Sequence, residues 1–206
     1  MSLKRFPITN VVGDLVDQHR DPDEKLYASL ELNQVAFPKT GMVVSQTPLG
    51  TAFTKAAPCE NGMWVVADKA AGAINAPAAV DSVPIGIVYT TEKEYDREHY
   101  GLQRFGRKIA GDYPRVGILG IGDTVTTNCL QYDEAASGDN AFANFAALET
   151  ALNAIGTTPL YVGIAAGSAV PQILKSAPQS GIYGKIVKYY TIPNGGKGVK
   201  YQIMRV

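Results

Sequence analysis

The chain has few of the residues on which most catalytic and metal sites depend. Its 206 residues include two cysteines and two histidines. Cys59 and Cys129 form no C-x-x-C pair, so the sequence predicts neither a disulfide framework nor a zinc site, and we expect reduced thiols in a protein made in the cytosol. His19 and His99 stand among charged residues, where a solvated histidine is more common than the carboxylate-held histidine of a Ser-His-Asp triad. We therefore expect no enzyme activity, no metal and no cofactor.

The chain also lacks an excess of charge and a long apolar run. It has 19 Lys plus Arg and 19 Asp plus Glu, which gives a formal net charge of zero. Because nucleic-acid binding needs clustered cations that neutralise phosphates, the balanced total predicts no nucleic-acid partner. No apolar run approaches the ~20 residues that span a bilayer, and residues 6–10 lack the apolar core of a signal peptide. We expect no membrane partner.

Two glycine-rich stretches look superficially like nucleotide-binding loops. Residues 117–122 have the spacing G-x-x-G-x-G rather than G-x-G-x-x-G, and β-type residues follow them. Residues 195–198 lack the Ser or Thr and the upstream glycine of a P-loop. Both stretches are predicted to be turns.

One group of carboxylates leaves a hydrolase as an alternative. It consists of Asp112, Asp123, Asp133 and Glu134. Glycosidases use such pairs, but aspartate also stabilises turns through its own backbone. We interpret all four as turn residues.

The residues that are abundant indicate a mainly β protein. There are 21 Gly, 12 Pro and 11 Tyr, and only 18% of the residues are charged. This composition is rich in turn formers and in residues that suit pleated sheets. Strands are predicted at residues 42–44, 63–67, 73–77, 84–90, 116–119, 124–127, 160–164, 170–174, 186–192 and 199–206. The last two are expected to pair as a hairpin.

One helix is predicted over about residues 140–155. Apolar residues recur there at spacings of three and four: Phe142, Phe145, Leu148, Leu152 and Ile155. Asp139 and Asn140 are the expected N-terminal cap, and Gly156 is the expected stop. This helix would cover one face or end of the β fold.

The first residues differ from the rest. Residues 1–34 carry more charge, and their apolar residues occur in short pairs. Asp21 is predicted to cap a short helix with Pro22 in its first position. We interpret 1–34 as an N-terminal arm or lid and residues 35–206 as the β-rich domain. A lid would cover this chain's own barrel, whereas an arm would dock on a neighbouring subunit, and both interpretations stay open.

Residues 92–108 are densely charged. Their cations and aromatic residues alternate with four carboxylates. This mixture suits an interface loop of mixed sign better than a nucleic-acid groove, and a plain solvated loop fits equally well.

Two blocks of the sequence resemble the strand pattern of tailed-bacteriophage head decoration (capsid cement) proteins. The first runs from residues 61–68 through a turn containing Gly72 to residues 83–88. The second runs from residues 113–119 to residues 122–128. The likeness extends in style over residues 58–206.

The resemblance implies a compact β-barrel or sandwich, β-tulip-like, with one covering helix and an N-terminal arm. It implies a virion protein, made in the host cytoplasm, that binds the major capsid protein on the capsid exterior and acts as a homo-oligomer, with a trimer favoured. The candidate interface residues are Lys4, Arg5, Phe6, Tyr95, Arg97, Tyr100, Arg104 and Phe105. The alternatives are another phage subunit (tail tube or head fibre) and a carbohydrate-binding module in which Trp64 and exposed tyrosines stack on sugars.

Overall fold

Two β-sheets and one helix make up the part of the chain that the computed structural model describes, which is residues 2–7, 30–34, 43–44, 46–68, 70–79, 84–89, 109–191 and 196–206. The larger sheet contains β1 (Leu3–Arg5), β2 (Leu30–Gln34), β8 (Thr124–Thr127), β9 (Gln131–Glu134), β10 (Ala141–Phe142), β11 (Tyr161–Gly163), β12 (Gln172–Leu174), β13 (Ile182–Thr191) and β14 (Lys197–Arg205). The smaller sheet contains β3 (Val43–Val44), β4 (Trp64–Asp68), β5 (Ala73–Asn75), β6 (Ile85–Val88) and β7 (Val116–Ile118).

Most neighbouring strands run antiparallel. The order in the larger sheet is β1-β9-β12-β11-β13-β14-β8-β2, and β10 also pairs with β9. Strands β10 and β12 run parallel to β9. The order in the smaller sheet is β3-β7-β6-β4-β5, and its pairs are antiparallel. Within the described residues both sheets stay open.

The two sheets share a hydrophobic core. Trp64 and Ile87 of the smaller sheet and Val125 and Tyr201 of the larger one are buried together in it. The Trp64 indole N–H donates to the Tyr201 hydroxyl at 3.1 Å. Two packed sheets with this alternation of inward residues form a sandwich. The predicted mainly β class is confirmed, and the architecture fits a sandwich rather than a closed barrel.

The other face of the smaller sheet is also buried. Val65 and Val88, which alternate with the residues of the shared core, pack in a second cluster with Phe53, Cys59 and Cys129. Because both faces of the smaller sheet are covered, an exposed sheet face has to come from the larger one.

The predicted strands agree with the structure, and four strands were missed. Each of the ten predicted segments overlaps an observed strand, and both β11–β12 and β13–β14 pair in antiparallel register. Of residues 117–122, predicted as a turn, the first two lie in β7 and a turn follows, with Gly122 at φ 94° and the Gly120 N–H donating to Asp123 Oδ2 at 2.8 Å. That turn carries the chain from the smaller sheet to the larger one. The missed strands are β1, β2, β9 and β10.

The helix is shorter than predicted. Helix α1 spans Phe145–Asn153, and the Asn144 side chain caps it by accepting from the Ala147 N–H at 2.9 Å. Phe142, expected on the helix, lies in β10 instead. Asn140, expected as the cap, accepts a hydrogen bond from the Lys175 N–H at 2.9 Å. The helix ends with Ala154 as its C-cap, so Gly156 is not the stop.

The described parts of residues 1–34 belong to the larger sheet. Strand β1 pairs with β9 at one edge, and β2 pairs with β8 at the other. The predicted cap at Asp21 lies outside the described residues. The division into an arm (1–34) and a domain (35–206) stays a prediction, although both ends of that segment are built into the sheet.

Candidate interaction surface

One face of the larger sheet is exposed along its two longest strands. Alternation along β13 and β14 turns Ile186 and Tyr201 into the core and their neighbours outward. The register places Tyr161 beside Lys185 and Lys188 beside Lys200. We call the outward group the lysine–tyrosine face, and it consists of Tyr161, Tyr183, Lys185, Lys188, Tyr190 and Lys200.

The aromatic rings of this face are held by contacts within the chain. Lys188 Nζ lies 5.1 Å from the centroid of the Tyr190 ring, and Lys200 Nζ lies 5.8 Å from it. The Tyr190 hydroxyl is 2.9 Å from Thr126 Oγ1 on β8. The rings of Tyr161 and Tyr183 meet edge to face at 5.9 Å. Aromatic residues and cations therefore form one ordered surface on paired strands.

The six residues of this face carry positive charge only, and the nearest acidic position in their row, Glu31 of β2, stands two strands from Lys200. Strands β13 and β14 contain no Asp or Glu, and Lys185, Lys188 and Lys200 form no ion pair with a carboxylate in the described part of the chain. All 19 acidic residues occur within residues 1–149, whereas residues 150–206 carry six cations: Lys175, Lys185, Lys188, Lys197, Lys200 and Arg205. The zero net charge hides this division, which was the sequence signal that could have located the face.

Three of the predicted interface residues lie on or next to β1. Lys4 is exposed and pairs with Glu134, whose other carboxylate oxygen accepts from the Tyr132 hydroxyl at 2.8 Å. These hydrogen bonds, first from Lys4 and then from Tyr132, lower the pKa of Glu134. Arg5 is half-buried, and Phe6 is 1% exposed. Phe6 therefore packs in this chain's own core, which corrects its assignment to a surface interface.

The other five predicted interface residues lie outside the described residues. They are Tyr95, Arg97, Tyr100, Arg104 and Phe105. Their role stays a prediction, and the structure neither joins them to Lys4 and Arg5 nor separates them.

Arg5 belongs to a buried polar cluster beneath β1. Its Nη2 donates to Glu60 Oε2 at 3.1 Å and lies 3.9 Å from Cys129 Sγ. The Cys129 side chain is fully buried. That burial raises the pKa of its thiol to about 12, although the Arg5 guanidinium acts in the opposite direction. The cluster ties the first strand to the loop before β4.

Cys129 is expected to stay unreactive in the folded protein. A free thiol ionises near pH ~8.5, whereas the raised pKa keeps the folded Cys129 thiol neutral at pH 8. Burial shields both Cys129 and Cys59, which is 1% exposed, from water. We expect no reaction of native protein with a thiol-specific chromogenic disulfide and reaction of both cysteines in guanidinium. Rapid labelling of the native protein would contradict this arrangement.

The same shift sets a direction for stability against pH. In the unfolded chain Cys129 begins to ionise near pH ~8.5, whereas in the fold its pKa is about 12. The neutral thiol favours the folded state, so its contribution is complete below pH ~8.5 and is lost as the pH rises towards the folded pKa.

The carboxylates considered for hydrolysis have structural roles. Asp112 and Asp123 each accept a backbone N–H in a turn, from Ile109 at 3.0 Å and from Gly120 at 2.8 Å. Asp133 and Glu134 were predicted in turns but lie in β9. Asp133 Oδ1 accepts from the Ser2 N–H at 3.0 Å because β1 pairs alongside.

Trp64 does not offer a surface for stacking on a sugar. Its side chain is 1% exposed and packs edge to face against Tyr201, with ring centroids 6.0 Å apart. The carbohydrate-binding alternative, as built on Trp64, therefore loses its main residue.

Metal-binding clusters and membrane-spanning helices are both absent from the described residues. There is no group of three or more His, Cys, Asp or Glu side chains placed to hold a metal ion. No helix in that part of the chain combines the length and apolar character needed to cross a bilayer.

Comparison with known proteins identifies no relative of this chain. Models of protein families, curated proteins and solved structures all give no match to this chain.

Proposed function

We propose that this chain is a virion structural protein that binds and stabilises a capsid lattice from outside, as a decoration or cement protein of a tailed bacteriophage. The observation that carries the proposal is the lysine–tyrosine face, an ordered and outward surface on the two longest strands. Tyrosine is among the residues that protein interfaces favour. The likeness of residues 58–206 to decoration proteins supports the same role.

The position of the face suits a protein that works by attachment. Strands β13 and β14 have neighbours on both sides, β11 and β8, so the side chains of the face stand on fixed backbone. A surface ordered before binding loses less conformational entropy when its partner docks. The proposed role contains no catalytic step and needs only that this surface be held in place.

The proposed partner is the major capsid protein, and the proposed state is a homo-oligomer, with a trimer favoured. Among the described strands, β1 and β2 stand at the two edges of the larger sheet. Exposed sheet edges invite pairing with other chains, and closed symmetric oligomers are one way in which proteins cover them.

The experiment is reconstitution on capsids. Purified protein added to expanded, undecorated capsids is expected to saturate at a stoichiometry that matches a symmetry element of the lattice and to raise the capsid melting temperature, because a ligand that binds only the intact state stabilises it. Differential scanning calorimetry and quantitative gel analysis of sedimented capsids measure the two effects.

Two outcomes would contradict the proposal. One is no binding to any head form, expanded or unexpanded. The other is growth of the isolated protein into long polymers, which a tail-tube subunit would form and a decoration protein would not. Sedimentation velocity of the free protein distinguishes a discrete oligomer from a polymer.

A further inference from the structure

We infer that the lysine–tyrosine face recognises a carboxylate-rich surface of a partner protein, an inference that rests on the proposed function, in which the partner is the capsid shell. It names the chemistry of the contact: ammonium groups of this chain against Asp and Glu side chains of the partner.

The fold holds two lysines of this face in a like-charge pair. Lys188 and Lys200 stand directly opposite each other on β13 and β14. Like charges in opposed positions of an antiparallel pair destabilise it. Both ammonium groups approach the Tyr190 ring, at 5.1 and 5.8 Å from its centroid. A partner that supplies carboxylates removes the repulsion, so the pair favours an anionic ligand.

The cationic area of the face is small. Lys185 and Lys188 are on one strand and Lys200 is on the next, directly across from Lys188. Neighbouring strands lie about 4.8 Å apart, and residues advance about 3.3 Å along a strand. The Cα atoms of the three lysines therefore lie within roughly 10 Å of one another. An area of this size fits two or three carboxylates on a protein surface better than it fits a long polymer.

The state of the tyrosine rings favours protein carboxylates over nucleic acid as the ligand. Single-stranded nucleic acid binds through open aromatic faces on which bases stack. Here the Tyr190 ring carries two lysines and its hydroxyl is bonded to Thr126, while Tyr161 and Tyr183 pack against each other. Residues 1–149 contain all 19 carboxylates and 13 of the 19 cations, a formal charge of −6, which disfavours a polyanion that extends beyond the face.

The test compares three variants with the wild type. K185Q/K188Q/K200Q removes the charge of the face, and K185R/K188R/K200R keeps it. A control, K55Q/R115Q/R205Q, removes three cations from exposed positions that are not part of the face. Circular dichroism and thermal melts are expected to show that all variants fold, because every substituted side chain is at least partly exposed.

Two binding assays are run on each variant. One uses undecorated capsids at increasing NaCl, and the other uses a short fluorescent oligoglutamate peptide as a capsid-independent probe, with a dT20 oligonucleotide beside it. We expect the glutamine variant to lose about tenfold or more in both the capsid and the oligoglutamate assays, the arginine and control variants to stay within about twofold, and wild-type binding to weaken as salt screens the charges.

The outcomes separate this inference from the proposed function. Wild-type capsid binding that the glutamine variant retains in full would overturn the inference and leave the proposed function standing. Oligoglutamate binding that depends on the face, without binding to any capsid form, would overturn the proposed function and leave carboxylate recognition standing. Tight binding of dT20 that the glutamine variant loses would overturn the inference in favour of a nucleic-acid surface.

Discussion

Replacing Phe6 with alanine is expected to lower the free energy of unfolding by about 3–5 kcal/mol, the usual cost of removing a buried aromatic ring. The Phe6 ring is 1% exposed and meets Phe145 of helix α1 edge to face, with centroids 5.3 Å apart. It also lies 6.2 Å from the Tyr189 ring. The Phe6 N–H donates to the Leu130 carbonyl at 2.8 Å, which extends the pairing of β1.

The measurement is chemical denaturation of the full chain followed by tryptophan fluorescence, since Trp64 is the single tryptophan and lies in the same core. Leu3→Ala, at the start of the strand that Phe6 follows, is the matched control. Its side chain is 39% exposed, so we expect a cost below about 1 kcal/mol. A Phe6→Ala cost as small as that of the control would mean that the first strand detaches freely and acts as an arm.

This result bears on any truncation of residues 1–34. An arm could be removed without loss of the fold, whereas removal of β1, Phe6 and β2 takes away both edge strands of the larger sheet. We expect the shortened chain to be less stable, so weaker capsid binding by it could not be assigned to a lost contact. Single substitutions at exposed positions are the appropriate test of that contact.

Arg5→Met is expected to cost about 2 kcal/mol, because it removes the charged donor of a partly buried ion pair. The Glu60 side chain is 11% exposed and accepts from Arg5 at 3.1 Å, while the Arg5 side chain is 35% exposed. Arg5→Met combined with Glu60→Met is expected to recover part of the loss, since apolar pairs can replace ion pairs at low cost.

A double-mutant cycle on the free energy of unfolding gives the coupling between Arg5 and Glu60. The neighbouring pair is the control. Lys4 is 53% exposed and pairs with Glu134, so we expect Lys4→Met to cost less than about 1 kcal/mol. Equal costs at Arg5 and Lys4 would show that the Arg5–Glu60 contact behaves as a surface pair.

The sequence predicted strands that are rich in apolar or β-branched residues and missed β9, in which two of the buried residues are polar. Thr124–Thr127 was predicted at the residues observed, because its β-branched side chains suit a pleated sheet. In β9, Gln131 is 6% exposed and Asp133 is 6% exposed. Gln131 donates to the Val170 carbonyl at 2.6 Å. A strand whose buried residues are satisfied by hydrogen bonds gives no hydrophobic period to detect.

The helix shows a second reason for error. Phe142 and Phe145 fit one helical face by spacing alone, but the chain reaches Asn144 in an extended conformation, with φ −164° and ψ 179°. Strand β10 pairs in parallel with β9, whose paired residues lie eight positions earlier, and this pairing places Phe142 in the sheet. Local spacing carries no information on such a partner, so the start of the helix could not be fixed from the sequence.

The zero net charge of the whole chain does not reveal the candidate surface, because the surface depends on how the charges are distributed along the sequence. The prediction favoured Arg97 and its neighbours, where cations and aromatic residues are close in sequence. On β13 and β14 the cations are spread over two strands, and only the register brings Lys188 beside Lys200. The alternation of Val199, Tyr201 and Ile203 with Lys200 and Gln202 predicts a half-buried strand. The sequence alone does not show which strand its outward Lys200 stands beside.

The strand order of the larger sheet also determines when the protein can fold during synthesis. Strand β1 has to wait for β9, and β2 has to wait for β8, which is itself bordered by β14 near the end of the chain. Because translation adds residues from the N-terminus at ~5–20 per second, the ribosome releases both early strands long before their neighbours exist. Assembly of the sheet therefore waits until β14 has been synthesised, and a nascent chain stalled before β13 leaves β8 and β11 each without one of its neighbours.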